Sequence, residues 1–77
     1  MRKGEIVLLT WDDIRTDLST DEYREPLIAY AVGCVAKQDK KTVWLKSGWY
    51  KDPEFPAKDT ITIPKGCIRK IEKLGVL

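Results

Sequence analysis

Residues 27–47 read LIAYAVGCVAKQDKKTVWLKS, and this stretch decides the fold. Two runs rich in apolar residues are separated by five polar ones, KQDKK. Runs of this kind predict strands, and a short polar break between them predicts a hairpin turn. We therefore expect a strand over residues 27–37, a tight turn at 37–41 and a second strand over 42–47.

Side-chain alternation assigns faces within this hairpin, because successive residues of a strand point to opposite sides of the sheet. Val43 and Leu45 share one face of the second strand, so if they are core, Trp44 faces out. In the first strand one face carries Ile28, Tyr30, Val32, Cys34 and Ala36, and the other carries Ala29, Ala31, Gly33 and Val35.

Three more strands are predicted outward from the hairpin. Residues 6–10 form a short apolar run, residues 60–63 alternate with two isoleucines inward, and a last strand runs from residue 67 to about 73. Pro64-Lys65-Gly66 separates the last two strands, since proline cannot donate to a ladder and glycine adopts unusual dihedral angles at little cost.

Five short strands in 77 residues predict one all-β domain over residues 1–77. Closing them into a small five-stranded barrel would leave few exposed strand edges. The layout resembles a Src-homology-3-like (SH3-like) barrel in its long first loop and its Ile-Pro turn before the last strand. That likeness concerns the fold and not the function.

The long first loop is predicted over residues 11–26, WDDIRTDLSTDEYREP, which are polar and end in a proline. Thr10 followed by Asp13 has the spacing of a capping box, and Trp11, Ile14 and Leu18 would then share one side of a short helix. We allow one or two helical turns in this loop.

The residue inventory argues against catalysis. The chain has no histidine and two cysteines 33 positions apart, so it lacks the usual base for a serine or cysteine nucleophile and the ligands for a tetrahedral zinc site. Carboxylates are plentiful, which leaves a magnesium-assisted phosphoryl enzyme formally open. We expect a protein that is not an enzyme and holds no cofactor and no metal.

The sequence also predicts where the protein works. It shows no secretory signal and no apolar run near the roughly 18 residues of a membrane-spanning helix. Two widely spaced cysteines fit a reduced compartment. We expect a cytoplasmic protein that does not enter membranes.

The net charge of the chain is +2, but the charged residues are distributed unevenly along it. Residues 1–33 carry four basic and seven acidic side chains, whereas residues 34–77 carry ten basic and five acidic ones. Residues 11–26 alone carry six acidic and two basic side chains. Binding to long nucleic acid depends on neutralising many phosphates, so this pattern disfavours it. A small anionic ligand needs only two or three cations in one place.

Aromatic rings interleaved with cations are the strongest functional signal. Rings stack nucleobases, and neighbouring cations hold phosphates. The candidates are Trp11, Trp49 and Tyr50 for stacking, Arg15, Lys46, Lys51 and Lys65 for phosphate, and Asp13 for a base edge.

Each of these assignments has a structural alternative. The rings equally fit a groove for a proline-rich peptide, caps on the barrel ends or a subunit interface. Asp13 fits the helix N-cap equally well, and Pro64-Lys65-Gly66 is often no more than a turn.

Four short motifs carry a resemblance to a family. They are Trp11-x-Asp13, Val32-Gly33, Lys37-x-Asp39 and the closing motif Ile63-Pro64-Lys65-Gly66-Cys67-Ile68. Together they resemble small proteins that are widespread in tailed-phage genomes, over roughly residues 5–13, 31–46 and 60–74. The closing IPKGCI motif is fairly specific, and the other three are weak.

The resemblance extends to viral sponge proteins that sequester cyclic dinucleotides such as cyclic GMP-AMP and so blunt CBASS-type defence. It implies a non-catalytic protein that assembles as a homo-tetramer in the infected bacterial cell. Residues 14–26 and 49–58 lie outside the likeness, and these loops should shape any pocket.

The size of the chain bears on the same hypothesis. A barrel of 77 residues is too small to enclose a typical ligand pocket of about 300 to 1,000 Å³, so subunits would share the site. The leading hypothesis is a cyclic-dinucleotide sponge, and the main alternative is an SH3-like module that binds a host or phage peptide. A single-stranded nucleic-acid binder is a third hypothesis, and an enzyme is the fourth.

Overall fold

A computed structural model describes residues 1–13, 27–52, 54–56 and 58–77. Its elements are β1 (Glu5–Asp13), β2 (Leu27–Gln38), β3 (Thr42–Gly48), β4 (Asp59–Pro64), a three-residue 3-10 turn (Lys65–Cys67) and β5 (Ile68–Val76). All strands pair antiparallel in one sheet of order β4-β3-β2-β1-β5. The predicted all-β class and the five strands are confirmed.

One face of the sheet carries the core, and the predicted inward residues of β3 and β4 lie on it. Its buried members are Val7, Leu9, Ala31, Val35, Val43, Leu45 and Ile63. Ile61 and Ile68 are partly buried against this cluster. Because β4 and β5 are the two edges of the sheet and both contribute to one cluster, the sheet must curve around it.

Curvature does not amount to closure. In the described part of the chain no ladder joins β4 to β5, so the sheet is open between its edge strands. The predicted closed barrel is therefore not observed. The structure is an open sheet that curves around its core.

Gly33 marks the point where β3 meets β2. A Cβ atom at this position would lie 2.6 Å from the backbone oxygen of Lys46, closer than real contacts allow. The β2–β3 register begins at the next residue, where Cys34 lies opposite Lys46. The absence of a side chain at Gly33 is what lets the two backbones approach here.

A bulge in β2 changes the face of one lysine. Val35 lies opposite Leu45, but Trp44 lies opposite Lys37, so Ala36 is an extra residue. An extra residue reverses the alternation that follows it. Lys37 therefore joins Trp44 on the face away from the core. The turn itself is shorter than predicted, since β2 extends to Gln38.

The prediction that residues 11–13 begin a loop with a helical cap was wrong. Trp11, Asp12 and Asp13 are the last three residues of β1, opposite Ala29, Ile28 and Leu27. Their backbone is extended, so Thr10 and Asp13 do not form a capping box. The helical turns allowed further along, with Ile14 and Leu18, lie outside the described residues.

The last strand is longer than predicted, and its start shifts by one residue. Cys67 belongs to the 3-10 turn that follows Pro64, and β5 runs on to Val76. Arg69 pairs with Asp12 at 2.8 Å, and Lys73 pairs with Glu5 at 3.5 Å, so ion pairs join β5 to β1. Within the described residues the only helical segment is the three-residue turn, far too short to cross a bilayer.

Candidate ligand-binding surfaces

The structure distributes the predicted site residues over several places. Trp11 and Asp13 are on β1, Lys46 is on β3, and Lys65 opens the 3-10 turn. Trp49, Tyr50 and Lys51 follow β3 in the connection to β4. Arg15 lies outside the described residues. The predicted set is thus not one site within a single copy of the chain.

Trp11 is not the exposed stacking ring that the sequence suggested. Its side chain packs against the core cluster, between Ala29 and Ile68 in the strand register. The indole Nε1 is buried and has no acceptor among the described residues. Asp13 ends β1 and is half-buried.

The aromatic loop, which we define as residues 49–58, carries the exposed rings. Tyr50 and Phe55 are exposed, with ring centroids 5.7 Å apart and planes tilted by 55°. Trp49 is also solvent-accessible, as predicted for a loop residue. Tilted aromatic pairs of this kind are favourable.

Hydrogen bonds and charge further define the aromatic loop. The Lys58 N–H donates to the carbonyl oxygen of Gly48 at 2.9 Å and closes the loop. Asp52 Oδ1 accepts from the Glu54 N–H at 3.0 Å. Lys51 and Lys58 are balanced by Asp52 and Glu54, so the loop has no net positive charge to attract an anion.

A second surface lies at the β2–β3 hairpin, and we call it the basic hairpin surface. It comprises Lys37, Asp39, Lys40, Lys41, Trp44 and Lys65. The ammonium Nζ of Lys37 lies over the Trp44 ring, 5.3 Å from its centroid. The Lys65 N–H donates to the Lys41 carbonyl oxygen at 2.7 Å, which fixes the 3-10 turn beside the hairpin.

Asp39 shapes the hairpin turn and remains ionised. Its Oδ1 accepts from the backbone N–H groups of Lys41 and Thr42, both at 2.8 Å. These two hydrogen bonds lower the pKa of Asp39, and the charges of Lys65 and Lys37 lower it further. With four lysines and one carboxylate, the basic hairpin surface has a net charge of +3 near neutral pH.

The two surfaces are too far apart to hold one small ligand in a single copy. They lie at opposite ends of β4, whose six residues span roughly 20 Å. Lys46 lies between them on β3, half-buried and opposite Cys34 and Thr60. Among the lysines predicted to bind phosphate, Lys65 lies beside the lysines of the β2–β3 hairpin.

Sequence reasoning did not assign Lys37, Lys40 and Lys41 to a site, and it placed Trp44 on the outward face but not among the site residues. The three lysines were interpreted as turn and strand-end residues, and Lys37 also as part of a resemblance motif. Strict alternation would place Lys37 on the face opposite that of Ile28 and Cys34, and the bulge at Ala36 reverses this. The signal that was available is the density of lysines around a single carboxylate in residues 37–41.

Comparison with known proteins adds no relative: the chain matches no family model, no curated protein and no solved structure. What each surface can do chemically therefore follows from its geometry. The basic hairpin surface offers ammonium groups beside a ring, a combination that holds phosphates and contacts a base. The aromatic loop offers rings without excess charge, which suits apolar or proline-rich segments.

Proposed function

We propose that this protein binds a small nucleotide of the cyclic-dinucleotide class, such as cyclic GMP-AMP, and does not cleave it. The observation that carries the proposal is the Lys37 ammonium over the Trp44 ring, with Lys40, Lys41 and Lys65 on the same hairpin surface. A cyclic dinucleotide presents two phosphates and two bases, and this surface offers matching ammonium groups and a ring.

The confined size of the surface favours a small ligand over a long polyanion. Long nucleic acid is held by basic groups spread along a track, each neutralising one phosphate. Here the lysines crowd around one turn of the hairpin, so they form no such track.

The biological role we propose is that of a phage-encoded sponge acting in the cytoplasm of an infected bacterium. The support is the resemblance of the IPKGCI closing motif and of the three shorter motifs. A sponge removes a CBASS-type signal by mass action, so it needs affinity and abundance but no general base. Assembly of several copies, a tetramer in the resembling proteins, would multiply the binding surfaces on one particle.

Titration calorimetry against a panel of cyclic dinucleotides tests this proposal. We expect a saturable heat with at least one member, and recovery of that ligand chemically intact by mass spectrometry. Lys37→Ala and Lys65→Ala should each weaken binding by about tenfold, the size of one lost charge-assisted contact.

Lys58→Ala is the matched control, because it removes the same charge from the aromatic loop. It should leave the affinity within about twofold of the parent chain. No binding by any member of the panel would overturn the proposal, as would cleavage of the ligand. Equal losses in Lys58→Ala and Lys37→Ala would refute the assignment to the hairpin.

The second candidate function is a peptide-binding module, and the Tyr50–Phe55 pair favours it. Exposed tilted rings next to Trp49, with the carboxylates of Asp52 and Glu54 close by in sequence, suit a proline-rich peptide that also carries basic residues. This proposal takes the curved open sheet to be SH3-like because of its strand order and the 3-10 turn before β5.

A proline-rich peptide array distinguishes the second candidate from the first. The peptide-binding candidate predicts that the parent chain captures arginine-containing peptides. Tyr50→Ala should abolish this capture, and Lys37→Ala should leave it unchanged. Absence of capture by the parent chain would remove this candidate and leave the nucleotide proposal untouched.

A further inference from the structure

In the described part of the chain, the first half of β2 pairs with another strand on one side only. Residues 27–34 pair with β1 on one side, whereas β3 pairs with β2 only from Cys34 onward. The other side of residues 27–32 is therefore without a described ladder partner. Such an edge offers a row of N–H and C=O groups that another extended strand can pair with.

Side chains make this edge apolar as well as open. Leu27, Ile28, Tyr30 and Val32 are each more than half exposed, and Tyr30 is 74% exposed. The segment LIAYAV contains no charge and no proline. Exposed apolar strands with free edges are a recognised route to association between chains.

The two outer strands of the sheet differ from this edge. β5 carries Arg69, Lys70, Glu72 and Lys73, and β4 starts with Asp59 and ends in Pro64. Charges and prolines on edge strands oppose pairing with another chain. Of the free edges described here, residues 27–32 alone lack these safeguards.

We infer that residues 27–32 pair antiparallel with the same segment of a second copy, so that one sheet continues across a two-fold axis. A pairing centred on Tyr30 places Ile28 opposite Val32 of the second copy, and each Tyr30 opposite the other. All three residues lie on the face away from the core, so apolar side chains meet apolar side chains in this register.

Self-pairing is favoured because the segment is complementary to itself. It brings no like charges together, and a two-fold contact uses the same patch on both copies. A second copy is also the one occupant whose strand is known to have the matching length and alternation.

Area sets the expected strength. At roughly 150 to 200 Å² per side chain, the exposed parts amount to on the order of 400 Å² per copy, or about 800 Å² in the pair before backbone is counted. This is below the roughly 1,200 Å² of stable interfaces, so the dimer should be weak and reversible. The inference does not depend on nucleotide binding.

Sedimentation velocity of the full chain over a range of concentrations tests the inference. We expect a shift from monomer to dimer with rising concentration. Tyr30→Lys should weaken the dimer by at least about tenfold, because it places two ammonium groups opposite each other. Thr62→Lys, an exposed outward position on β4, is the matched control and should leave dimerisation unchanged.

Amide hydrogen exchange supplies a second readout that does not depend on any variant. In the parent chain, exchange within residues 27–32 should slow as concentration rises, while exchange in β4 and β5 stays the same. A monomer at all concentrations with unchanged exchange would overturn the inference, and so would a dimer unaffected by Tyr30→Lys in a chain with native circular dichroism.

Calorimetry on Tyr30→Lys separates this inference from the proposed function. The hairpin surface is remote from the edge, so the variant should bind a cyclic dinucleotide like the parent chain. A dimer without nucleotide binding would overturn the proposed function alone, and nucleotide binding by a strict monomer would overturn the dimer alone.

Discussion

The basic hairpin surface and the aromatic loop lie at opposite ends of the same two strands, β3 and β4, yet they differ in chemistry. At the hairpin, four lysines surround one carboxylate and one partly buried ring. At the loop, lysines and carboxylates balance and the rings are exposed. One small scaffold thus separates a basic end from an aromatic end without net charge, and the two ends predict different ligands.

The largest expected effect is on the scaffold that both surfaces share. Leu45 is fully buried in β3 between them. Leu45→Ala should lower the free energy of unfolding by about 2 to 5 kcal/mol, the cost of a large-to-small change in a core. Urea unfolding measures it, with exposed Thr62→Ala as the control. A loss under about 1 kcal/mol would show that the core is not well packed.

The next largest expected effect is that salt weakens ligand binding at the two surfaces to different extents. Raising the salt concentration from about 50 to 500 mM should weaken nucleotide binding at the hairpin by roughly tenfold, because ammonium–phosphate attraction is screened. Binding of an apolar peptide at the aromatic loop should change much less. Calorimetry at the two salt concentrations checks this, and equal sensitivity of the two ligands would contradict the separation.

Acid should affect the hairpin turn selectively. The pKa of Asp39 is lowered in the folded chain, so its contribution to stability is present above the ordinary aspartate value of 3.8 and is lost as pH falls through the lowered value. NMR titration should find the Asp39 carboxyl titrating below that ordinary value. Asp39→Asn should remove this pH-dependent contribution to stability, whereas Asp52→Asn on the aromatic loop should leave it in place.

The smallest expected effect is on stability at the aromatic loop. Phe55 is exposed and contacts Tyr50, so Phe55→Ala should change the free energy of unfolding by no more than about 0.5 kcal/mol. Thermal unfolding measures this. A loss comparable to that of Leu45→Ala would mean that the loop rings are core and not a binding surface.

Much of the scaffold was predictable from local pattern, and much of the site was not. Val43, Leu45 and Ile63 were assigned inward from alternation alone, and all three are fully buried. The break at Pro64 was also predicted and is observed. Trp11 was placed in a loop because polar residues follow it, although its strand pairing depends on β2 and β5 as partners.

The site residues illustrate the same limit more strongly. Trp49 and Lys65 were grouped because both suit a nucleotide, yet β4 separates them. Strict alternation would put Lys37 and Trp44 on different faces, and the bulge at Ala36 is what brings them to the same face. The spacing of residues along a strand predicts which face of the sheet each residue lies on. It does not predict which strand ends lie next to one another.

The sequence by itself determined the strand class, the hairpin and the inward faces of β3 and β4, because these depend on alternation within a few neighbouring residues. Only the tertiary structure decided that Lys37 lies over Trp44, that β1 extends to Asp13 and that, among the described residues, positions 27–32 pair with β1 on one side only. Each of these depends on where a partner strand begins, ends or skips a residue, and that is settled by pairing between distant parts of the chain.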